Sequence, residues 1–309
     1  MLKKPYLIAE VGNNFERFEH CKYSIMEAKL AGASAIKFQY FTERDLNGSN
    51  SDSEKGIRPE WFPCLKAEAS KLEIDFLCSV FNPLKVKFVD QFVPYHKIAS
   101  YEAEHPQLLR EINKTKKLTF ISVGASEQWS LEKIPEYLDN FIPLYCSVNY
   151  RRPEIHLETI PWIRNVMKVN DVGFSDHTTD YSCIPVEAVL KYGAVVIEKH
   201  FNPFFVSSDD SDHSIDTEQF KMMANKISGK EMEFPAWNKR EQELINLNKR
   251  RLISLTPINK GDKLIYGQNY EVYRGLNLRG SSPLPEIEGK EARSEYYTDH
   301  MILTDNHDY

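Results

Sequence analysis

Eight short runs of apolar and β-branched residues recur along the first two thirds of the chain. Their length and their content of Val, Ile, Phe and Tyr are typical of buried β-strands. The sequence therefore predicts eight strands, in the segments YLIAEVG, AIKFQY, DFLCSVF, YHKIAS, LTFISVG, FIPLYCSV, DVGFSDH and AVVIEKHF.

Segments with helical spacing of apolar residues lie between the predicted strands, for example HCKYSIMEAKLAGA and HPQLLREINKTK. Strict alternation of strands and helices indicates parallel strands joined by right-handed crossovers. Eight such units in roughly 230 residues fit a (β/α)8 TIM barrel, which typically needs about 250. A doubly wound open sheet is the alternative, although no G-x-G-x-x-G follows the first strand.

The pattern changes after the eighth unit. A charged stretch precedes LISLTPINKGDKLIYGQNYEVYRGLN, which alternates like strands around an NKGD turn. We predict a barrel domain at 1–230, a linker at 231–249 and a small β-rich domain at 250–309. The long polar loop FTERDLNGSNSDSEKGIR after the second strand is predicted to be a lid or a mobile segment, partly disordered without substrate.

Composition and charge exclude several classes of protein. The 309 residues are 41% hydrophobic and 27% charged, as in ordinary globular chains. No apolar run approaches the about 18 residues of a membrane span and no signal peptide is apparent, so we expect a cytoplasmic protein with no membrane contact. The five scattered cysteines form no C-x-x-C pair, which argues against a disulfide framework and a cysteine zinc site. A net charge of -6 argues against nucleic acid as a partner.

Polar residues close most of the predicted strands. Barrel enzymes place their sites at the carboxyl ends of the strands, so these residues are candidates. A single polar strand end is ordinarily solvated or caps the next helix, but here lysine and histidine recur. The candidates are Glu10, Lys37, Gln39, Ser79, Lys97, Ser100, Glu102, Ser122, Ser175, His177, Glu198, Lys199 and His200.

His177 and His200 close consecutive predicted strands, and neighbouring strands lie only about 5 Å apart. Two imidazoles so placed suit a divalent transition metal that acts as a Lewis acid on a carbonyl. The alternative is structural, with His177 in a helix cap and His200 packed under FNPFF. His213 in SSDDSDHS is a further candidate ligand, but a solvated acidic surface loop is the commoner explanation of that segment.

Lys37 and Lys97 are predicted to point into the same barrel mouth from strands two and four. A buried lysine costs free energy unless an anion neutralises it, and a phosphate or carboxylate would do so with nearby serine hydroxyls as further donors. Alternatively, each lysine reaches water past its apolar stem. Schiff-base chemistry at Lys37, Lys97 or Lys199, as in barrel aldolases, also stays open.

Several segments share their pattern with one known family: IAEVGNN, AKLAGASAIKFQ, KIASYEAEHPQLLREI, VGFSDHT, GAVVIEKHF and DHS. With them, the chain resembles the sialic acid synthase (N-acetylneuraminate synthase) family, the phosphoenolpyruvate-dependent synthases of nonulosonic acids. The likeness runs over nearly the whole chain, and the SDHT and EKHF pair in this order and spacing is quite specific to the family. The tail segments RLISLTPINKGDKL and YRGLN are similar to the family's small antifreeze-like (SAF) domain.

The resemblance implies a (β/α)8 barrel and an antifreeze-like domain that reaches over the other subunit's active site in a domain-swapped homodimer. It implies a divalent metal ion, Mn²⁺ first, with Mg²⁺ or Co²⁺ as alternatives. It also implies the substrates, phosphoenolpyruvate and an amino sugar. In the family the metal holds the aldehyde of an open-chain mannosamine derivative, carbon 3 of phosphoenolpyruvate attacks it, water adds at carbon 2, and phosphate leaves by C–O cleavage. The product is a sialic-acid-like nine-carbon 2-keto-3-deoxy acid.

The resemblance also implies roles for individual positions. His177 and His200 match the metal ligands, and Arg274 matches an arginine that the tail domain lends to the sugar. Phosphoenolpyruvate binding falls to Lys37, Ser79, Lys97, Ser100 and Ser175, whereas Glu10, Gln39, Glu102, Tyr150 and Asp212 face the sugar or the reacting atoms.

The implied chemistry agrees with the interpretation of the residues themselves, because two lysines beside a metal can hold a trianion while the ion polarises the aldehyde. Glu10 or Glu102 would position the water or manage protons. We assign orientation to Glu102 and proton handling to Glu10. Together with Lys37, they are the predicted catalytic residues.

The chain departs from the family pattern towards the sugar. Where the family has an Asn-His-x-Gly turn after the first strand, this chain reads NNFER. Phe15 and Arg17 replace the histidine and the glycine, which implies a different turn conformation. The Y-P-x-P stretch reads YRRP and adds Arg151 and Arg152. Because the metal and phosphate positions are kept, we interpret these changes as an altered acceptor, more anionic or differently decorated than N-acetylmannosamine.

Two other functions stay open. One is a Schiff-base barrel aldolase, which borohydride trapping on a lysine and indifference to chelators would identify. The other is a non-catalytic sugar-binding relative in which the altered first loop has ended turnover. Retention of both histidines and both lysines argues against the second, since charged groups in a barrel mouth cost stability without a function.

Overall fold

The computed structural model describes residues 5–48, 55–151, 153–229, 250–274, 287–299 and 302. It divides into two compact units, 1–232 and 233–309. The predicted linker, 231–249, lies outside the described residues, and the predicted boundaries at 230 and 250 stay predictions.

Eight parallel strands of the first unit close into a barrel in chain order, with the last strand paired to the first. This confirms the predicted (β/α)8 barrel, and the open doubly wound sheet is wrong. The strands are β1 Tyr6–Glu10, β2 Ala35–Tyr40, β3 Asp75–Val80, β4 His96–Ile98, β5 Thr119–Ser122, β6 Phe141–Tyr145, β7 Gly173–Asp176 and β8 Val196–His200.

Helices follow the strands, and several of them begin at a proline or a capping box. Proline stands in the first turn of three of them, where its missing N–H costs nothing. The last helix begins at a capping box in which the Asp216 side chain accepts a hydrogen bond from the backbone N–H of Gln219. The helices are α1 Phe18–Leu30, α2 Glu43–Asn47, α3 Phe62–Lys71, α4 Val86–Val89, α5 Pro106–Lys114, α6 Gln128–Lys133, α7 Thr159–Met167, α8 Ile184–Leu190 and α9 Thr217–Ile227.

Two apolar layers hold the barrel, a large one between strands and helices and a small one inside the strands. Because successive strand residues point to opposite faces, the inner layer determines which polar residues also point inward. Two positions beyond inner residue Ile8 comes Glu10, and two beyond Ala35 comes Lys37. The carboxyl end of the barrel is therefore polar above an apolar floor formed by Tyr6, Ile8, Ala35, Leu77, Phe120, Ile142, Leu144 and Val196.

Asp176 and Lys199 occupy the opposite face of β7 and β8. Both side chains are fully buried, and Lys199 Nζ lies 2.6 Å from Asp176 Oδ2. The ammonium also donates hydrogen bonds to the backbone oxygens of Thr178 and Asp180. Lys199 therefore does not face the barrel interior, and the Schiff-base role considered for it does not fit the structure.

The structure describes residues 41–48 and 55–58 of the long loop after β2. Its first half forms α2, in which Asp45 contacts Lys85 and accepts a hydrogen bond of 2.8 Å from the Asn82 side chain. These contacts fix the start of the loop to the segment that follows β3. Residues 49–54 lie outside the described residues, so the predicted mobility of the loop stays a prediction.

The second unit contains a two-stranded antiparallel sheet, β9 Arg250–Ser254 and β10 Tyr270–Arg274. The predicted NKGD turn is present, since the Asn259 amide donates to Asp262 Oδ2 at 2.8 Å. The strands cover a small core formed by Leu252, Ile258, Leu264, Tyr270, Ile287, Ala292, Tyr296 and Ile302. Likeness to an antifreeze-like domain stays a prediction. In the parts of both units that the structure describes, every helix is too short or too polar for a membrane span.

Candidate active site

A cluster of buried charges fills the carboxyl end of the barrel. Lys37 Nζ lies 2.7 Å from Glu10 Oε2 and 3.6 Å from Glu198 Oε2, and Lys97 Nζ lies 3.6 Å from Glu198 Oε1. All four side chains are at most 5% exposed. The strand registers place these residues side by side, since Glu10 is paired with Lys37. The structure thus brings both predicted lysines to one place.

Glu198 connects the two lysines. Ser175 donates a hydrogen bond of 2.8 Å to Glu198 Oε1. Burial opposes ionisation of this carboxyl group, but attraction to Lys37 and Lys97 outweighs it and lowers the pKa of Glu198 to about 2. In the sequence, Glu198 is a candidate only as a polar strand end, with no role assigned. Its position two residues before His200, on the same face of β8, indicates that it also points into the barrel.

In Glu10, the effect of burial on the pKa outweighs the attraction of the neighbouring lysine. Burial raises the pKa of Glu10 to about 7, against the opposing attraction of Lys37. The Gln39 side chain donates a hydrogen bond of 2.8 Å to Glu10 Oε1. Two neighbouring carboxyl groups with pKa values pushed apart are typical of sites that hold one group ionised and let the other exchange protons.

Hydroxyl groups complete the surroundings of the lysines. Lys37 Nζ donates to Ser79 Oγ at 3.0 Å, and Lys97 Nζ donates to Ser122 Oγ at 2.9 Å. Burial lowers the pKa of Lys97. Predicted residue Ser100 lies nearby at the end of β4, where its hydroxyl contacts Cys146 Sγ at 2.9 Å and accepts a hydrogen bond from the Gly124 amide.

Glu102 ends the short 3-10 turn that follows β4. Burial raises its pKa, and the charge of Lys97 opposes the rise. The structure therefore places this predicted catalytic residue near the lysine cluster, half-buried at the barrel mouth.

His177 and His200 meet as expected from adjacent strands, with ring centroids 5.4 Å apart. His177 Nδ1 lies 2.6 Å from the Ser147 carbonyl oxygen, which can only accept, so the proton is on Nδ1 and Nε2 keeps its lone pair. Burial lowers the pKa of His177 to about 4 and also lowers the pKa of His200. Both rings are therefore neutral at pH 7, the form that binds metal ions.

The acidic segment SSDDSDHS is not a solvated surface loop throughout. His213 is 5% exposed, and one nitrogen of His213, one nitrogen of His200 and one oxygen of Asp210 all lie within 4.8 Å of one another. His200 Nδ1 and His213 Nε2 have no hydrogen-bond partner among the described residues. Buried nitrogens of this kind beside a carboxylate fit the divalent metal that the resemblance implies.

The loops after β1 and β8 hold each other in place. Buried Asn14 accepts a hydrogen bond of 2.7 Å from Ser208 and donates one of 2.8 Å to Ser214 Oγ. The backbone N–H of Asn13 donates a hydrogen bond of 2.6 Å to Asp210 Oδ2. NNFER, although altered from the family pattern, therefore still packs against the loop that carries Asp210.

Tyr150 forms one side of the histidine cluster. Its ring stacks on His177 at a centroid distance of 4.2 Å and lies 4.8 Å from His213. A cavity of about 640 Å³ opens beside it. Asp212, predicted to face the sugar, is exposed at this cavity, whereas Asp210 is the aspartate that approaches His200. The cavity is lined by Tyr150, Arg151, Ser208, Asp209, Asp210, Asp212 and His213.

For two arginines considered in the sequence analysis, the structure describes no side chain. Arg274 ends β10 in the second unit, and its side chain lies outside the described part of the structure. Arg152 also lies outside the described residues. The role predicted for Arg274 stays a prediction.

Comparison with known proteins gives a consistent result. The sequence matches the model of the NeuB family over residues 24–235. It is 33% identical over 255 residues to pseudaminic acid synthase of Campylobacter jejuni, which covers 73% of this chain and 73% of that protein. It is 27% identical to N,N'-diacetyllegionaminic acid synthase of the same species, with 97% and 99% of the two chains covered.

A solved structure shows the same fold. The crystal structure of N-acetylneuraminic acid (sialic acid) synthetase from Leptospira borgpetersenii superposes with a TM-score of 0.67 at 24% identity, covering 78% of this chain and 91% of that one.

Proposed function

Because this chain belongs to the NeuB family, we propose that it condenses phosphoenolpyruvate with the aldehyde form of an amino sugar. The products are a nine-carbon 2-keto-3-deoxy acid of the sialic acid type and inorganic phosphate. Relatives named as pseudaminic and legionaminic acid synthases support a condensation of this class.

The convergence of Lys37 and Lys97 at the carboxyl end of the barrel is the observation that carries the proposal. Each ammonium has a serine hydroxyl at 2.9–3.0 Å, so ammonium and hydroxyl donors point into one buried space. Phosphoenolpyruvate has a phosphate and a carboxylate, which match such donors. Glu198, which lies 3.6 Å from each ammonium, partly neutralises the lysines until the anion binds.

The proposed cofactor is a divalent metal ion, Mn²⁺ first, with His177 and His200 among its ligands. When bound, the ion supplies Lewis acidity to the aldehyde of the sugar. The Ser147 carbonyl fixes the ring of His177 and leaves Nε2, 3.4 Å from the Ser175 hydroxyl, as the unprotonated nitrogen.

Glu10 is positioned to move the protons of the reaction. Carbon 3 of phosphoenolpyruvate forms the new C–C bond with the aldehyde carbon, whose oxygen gains a proton. Water adds at carbon 2 and loses a proton, and the C–O bond to phosphate breaks. Glu10, buried between Gln39 and Lys37, accepts a proton at this place and returns it. Glu102, at the turn that follows β4, orients the water.

The acceptor is proposed to differ from N-acetylmannosamine. Arg151 lines the cavity beside Tyr150, where it can meet an anionic or acylamino substituent of the sugar. We further propose a cytoplasmic, domain-swapped homodimer in which Arg274 reaches the partner's sugar. Cross-linking at the second unit, followed by mass measurement, tests that arrangement.

Phosphate release is the direct test of the proposed reaction. We expect chelator-treated protein to release phosphate from phosphoenolpyruvate only after Mn²⁺ is added. We further expect phosphate release to require an acceptor sugar. The sugars to be tried are N-acetylmannosamine and the dideoxy-diacetamido hexoses used for pseudaminic and legionaminic acids. A lysine trapped by borohydride, with activity indifferent to chelators, would instead identify an aldolase. Sugar binding without phosphate release would identify a non-catalytic relative.

Replacing Lys97 with methionine is expected to raise the KM for phosphoenolpyruvate by about 10- to 150-fold. Loss of a hydrogen bond to a charged group costs about 1.5–3 kcal/mol, and methionine keeps the apolar stem. Steady-state kinetics at saturating sugar measure the effect. Lys114→Met, on the surface of α5 with the side chain 69% exposed, is the matched control. An unchanged KM in Lys97→Met would contradict phosphoenolpyruvate binding at this lysine.

A further inference from the structure

A third buried imidazole lies beside the two histidines to which the resemblance assigns metal binding. His213 ends the short turn Ser211–His213, far along the chain from His177. Its ring centroid lies 4.4 Å from that of His200, with the ring planes at 74°. The resemblance includes the segment DHS but assigns His213 no role, and because His213 is not on a strand, strand periodicity does not account for its burial.

His213 and His200 each contain a nitrogen without a hydrogen-bond partner among the described residues, His213 Nε2 and His200 Nδ1. Asp210 Oδ1 lies 3.5 Å from His213 Nε2. That distance exceeds the about 2.7–3.2 Å of ordinary N–H···O hydrogen bonds. Buried polar atoms are normally paired, so two such nitrogens facing one carboxylate indicate a missing common partner.

The backbone after β1 holds Asp210 in this position. The Asn13 amide donates to Asp210 Oδ2 at 2.6 Å, which leaves Oδ1 directed towards His213. A Cβ atom on Gly12 would lie 2.3 Å from Asp210 Oδ2 and 3.5 Å from His200 Nδ1. Gly12 also has φ +56, a conformation that other residues adopt at a cost. Only glycine leaves room for the carboxylate beside the imidazole.

We infer that His213 is a ligand of the divalent cation, which it binds together with His200 and Asp210. The three ligand atoms lie within 4.8 Å of one another, as donors to a single ion must. Together with His177, the ligand proposed above, these imidazoles and one carboxylate suit Mn²⁺, Fe²⁺ or Co²⁺. Mg²⁺, which prefers oxygen ligands, does not match this donor set.

This assignment deepens the proposed function because it concerns the metal of the same site, but it is tested without substrate or turnover. Chelator-treated full-length protein is titrated with Co²⁺ and its visible absorption is followed, and the affinity for Mn²⁺ is measured by calorimetry. Excess Mg²⁺ is expected to leave the cobalt spectrum unchanged.

The variants His213→Ala and Asp210→Asn are each expected to weaken Co²⁺ binding at least about tenfold and to change the absorption spectrum. His156→Ala is the matched control, since that imidazole is 63% exposed and paired with Glu158 on the surface. Circular dichroism confirms folding of each variant, and His213→Gln replaces the alanine variant if that protein does not fold.

Wild-type affinity and spectrum in folded His213→Ala would overturn the inference. If His177→Ala and His200→Ala abolish binding while His213→Ala and Asp210→Asn do not, the inference fails and the proposed function survives. If the wild-type protein binds neither Co²⁺ nor Mn²⁺, the inference fails together with the metal dependence of the proposed function. Displacement of Co²⁺ by excess Mg²⁺ would overturn the stated selectivity.

Discussion

Changing Glu10 to glutamine is expected to lower kcat by about 10²- to 10⁴-fold, the contribution typical of a positioned acid or base. Glutamine keeps the shape of the side chain and its contact with Gln39, but it cannot exchange a proton. The pair with Lys37, 2.7 Å apart in the structure, is lost as well. Phosphate release at saturating phosphoenolpyruvate and sugar measures the change.

The pH profile separates proton handling from mere packing. Burial raises the pKa of Glu10 to about 7, Glu198 adds to the rise, and Lys37 opposes it. Both oxygens of Glu10 face donors, Gln39 Nε2 and Lys37 Nζ, so the ionised form is the working one. We therefore expect kcat/KM to fall as the pH drops through about 7, because protonation removes the base.

The Glu10→Gln variant should lack this fall of kcat/KM at acidic pH, the acidic limb of the profile. Glu104→Gln changes an exposed glutamate two positions after Glu102, in the segment that follows β4; it is the control and should keep the wild-type profile. Persistence of the limb in Glu10→Gln would assign it to another group and contradict the proton role of Glu10. A Glu102→Gln variant with the limb intact but a lower kcat would agree with orientation of the water by Glu102.

Replacing Lys199 with methionine is expected to destabilise the barrel by about 3–5 kcal/mol, since it leaves Asp176 charged and buried without its partner. In a unit of this size, that corresponds to a decrease in Tm of about 6–20 °C. The pair lies 2.6 Å apart with both side chains fully buried. Thermal unfolding followed by circular dichroism measures the shift.

Two further variants test the cause. Lys191→Met removes a surface lysine that is 64% exposed and paired with Glu187, and it should change the Tm little. Asp176→Leu combined with Lys199→Met should recover part of the loss, because the unpaired buried charge is removed, whereas the backbone oxygens of Thr178 and Asp180 still lose their donor. A single Lys199→Met variant as stable as Lys191→Met would show that the pair does not stabilise the barrel.

The polar half of the site on the strands could be predicted from the sequence. Strand periodicity places Glu10 two positions beyond an inner apolar residue, and the same count places Lys37 and His200 inside. The same rule, applied to β8, points Glu198 inward and Lys199 outward. Both residues are candidates as polar strand ends in the sequence, and the alternation along β8 is what separates their faces.

Asp210 and His213 could not be identified in the same way. They belong to a loop, where no periodicity relates sequence position to direction, and a run of Ser and Asp is typical of solvated segments. Their burial depends on contacts across the chain, such as the hydrogen bond from Ser208 to Asn14. Asp212 was assigned to the sugar from the resemblance, and that assignment stays a prediction, since Asp212 lines the same cavity as Asp210.

The order of the eight strands, their parallel arrangement and the inward direction of Lys37 and Lys97 can be predicted from the residues alone, because strand and helix periods are local properties of a chain. Which loop side chains reach the histidines, and how the charges pair, is visible in the folded chain alone. Those outcomes depend on distances between residues nearly 200 positions apart, as between Asn13 and Asp210. Closing the barrel brings them within a hydrogen bond of each other, since β1 pairs with β8.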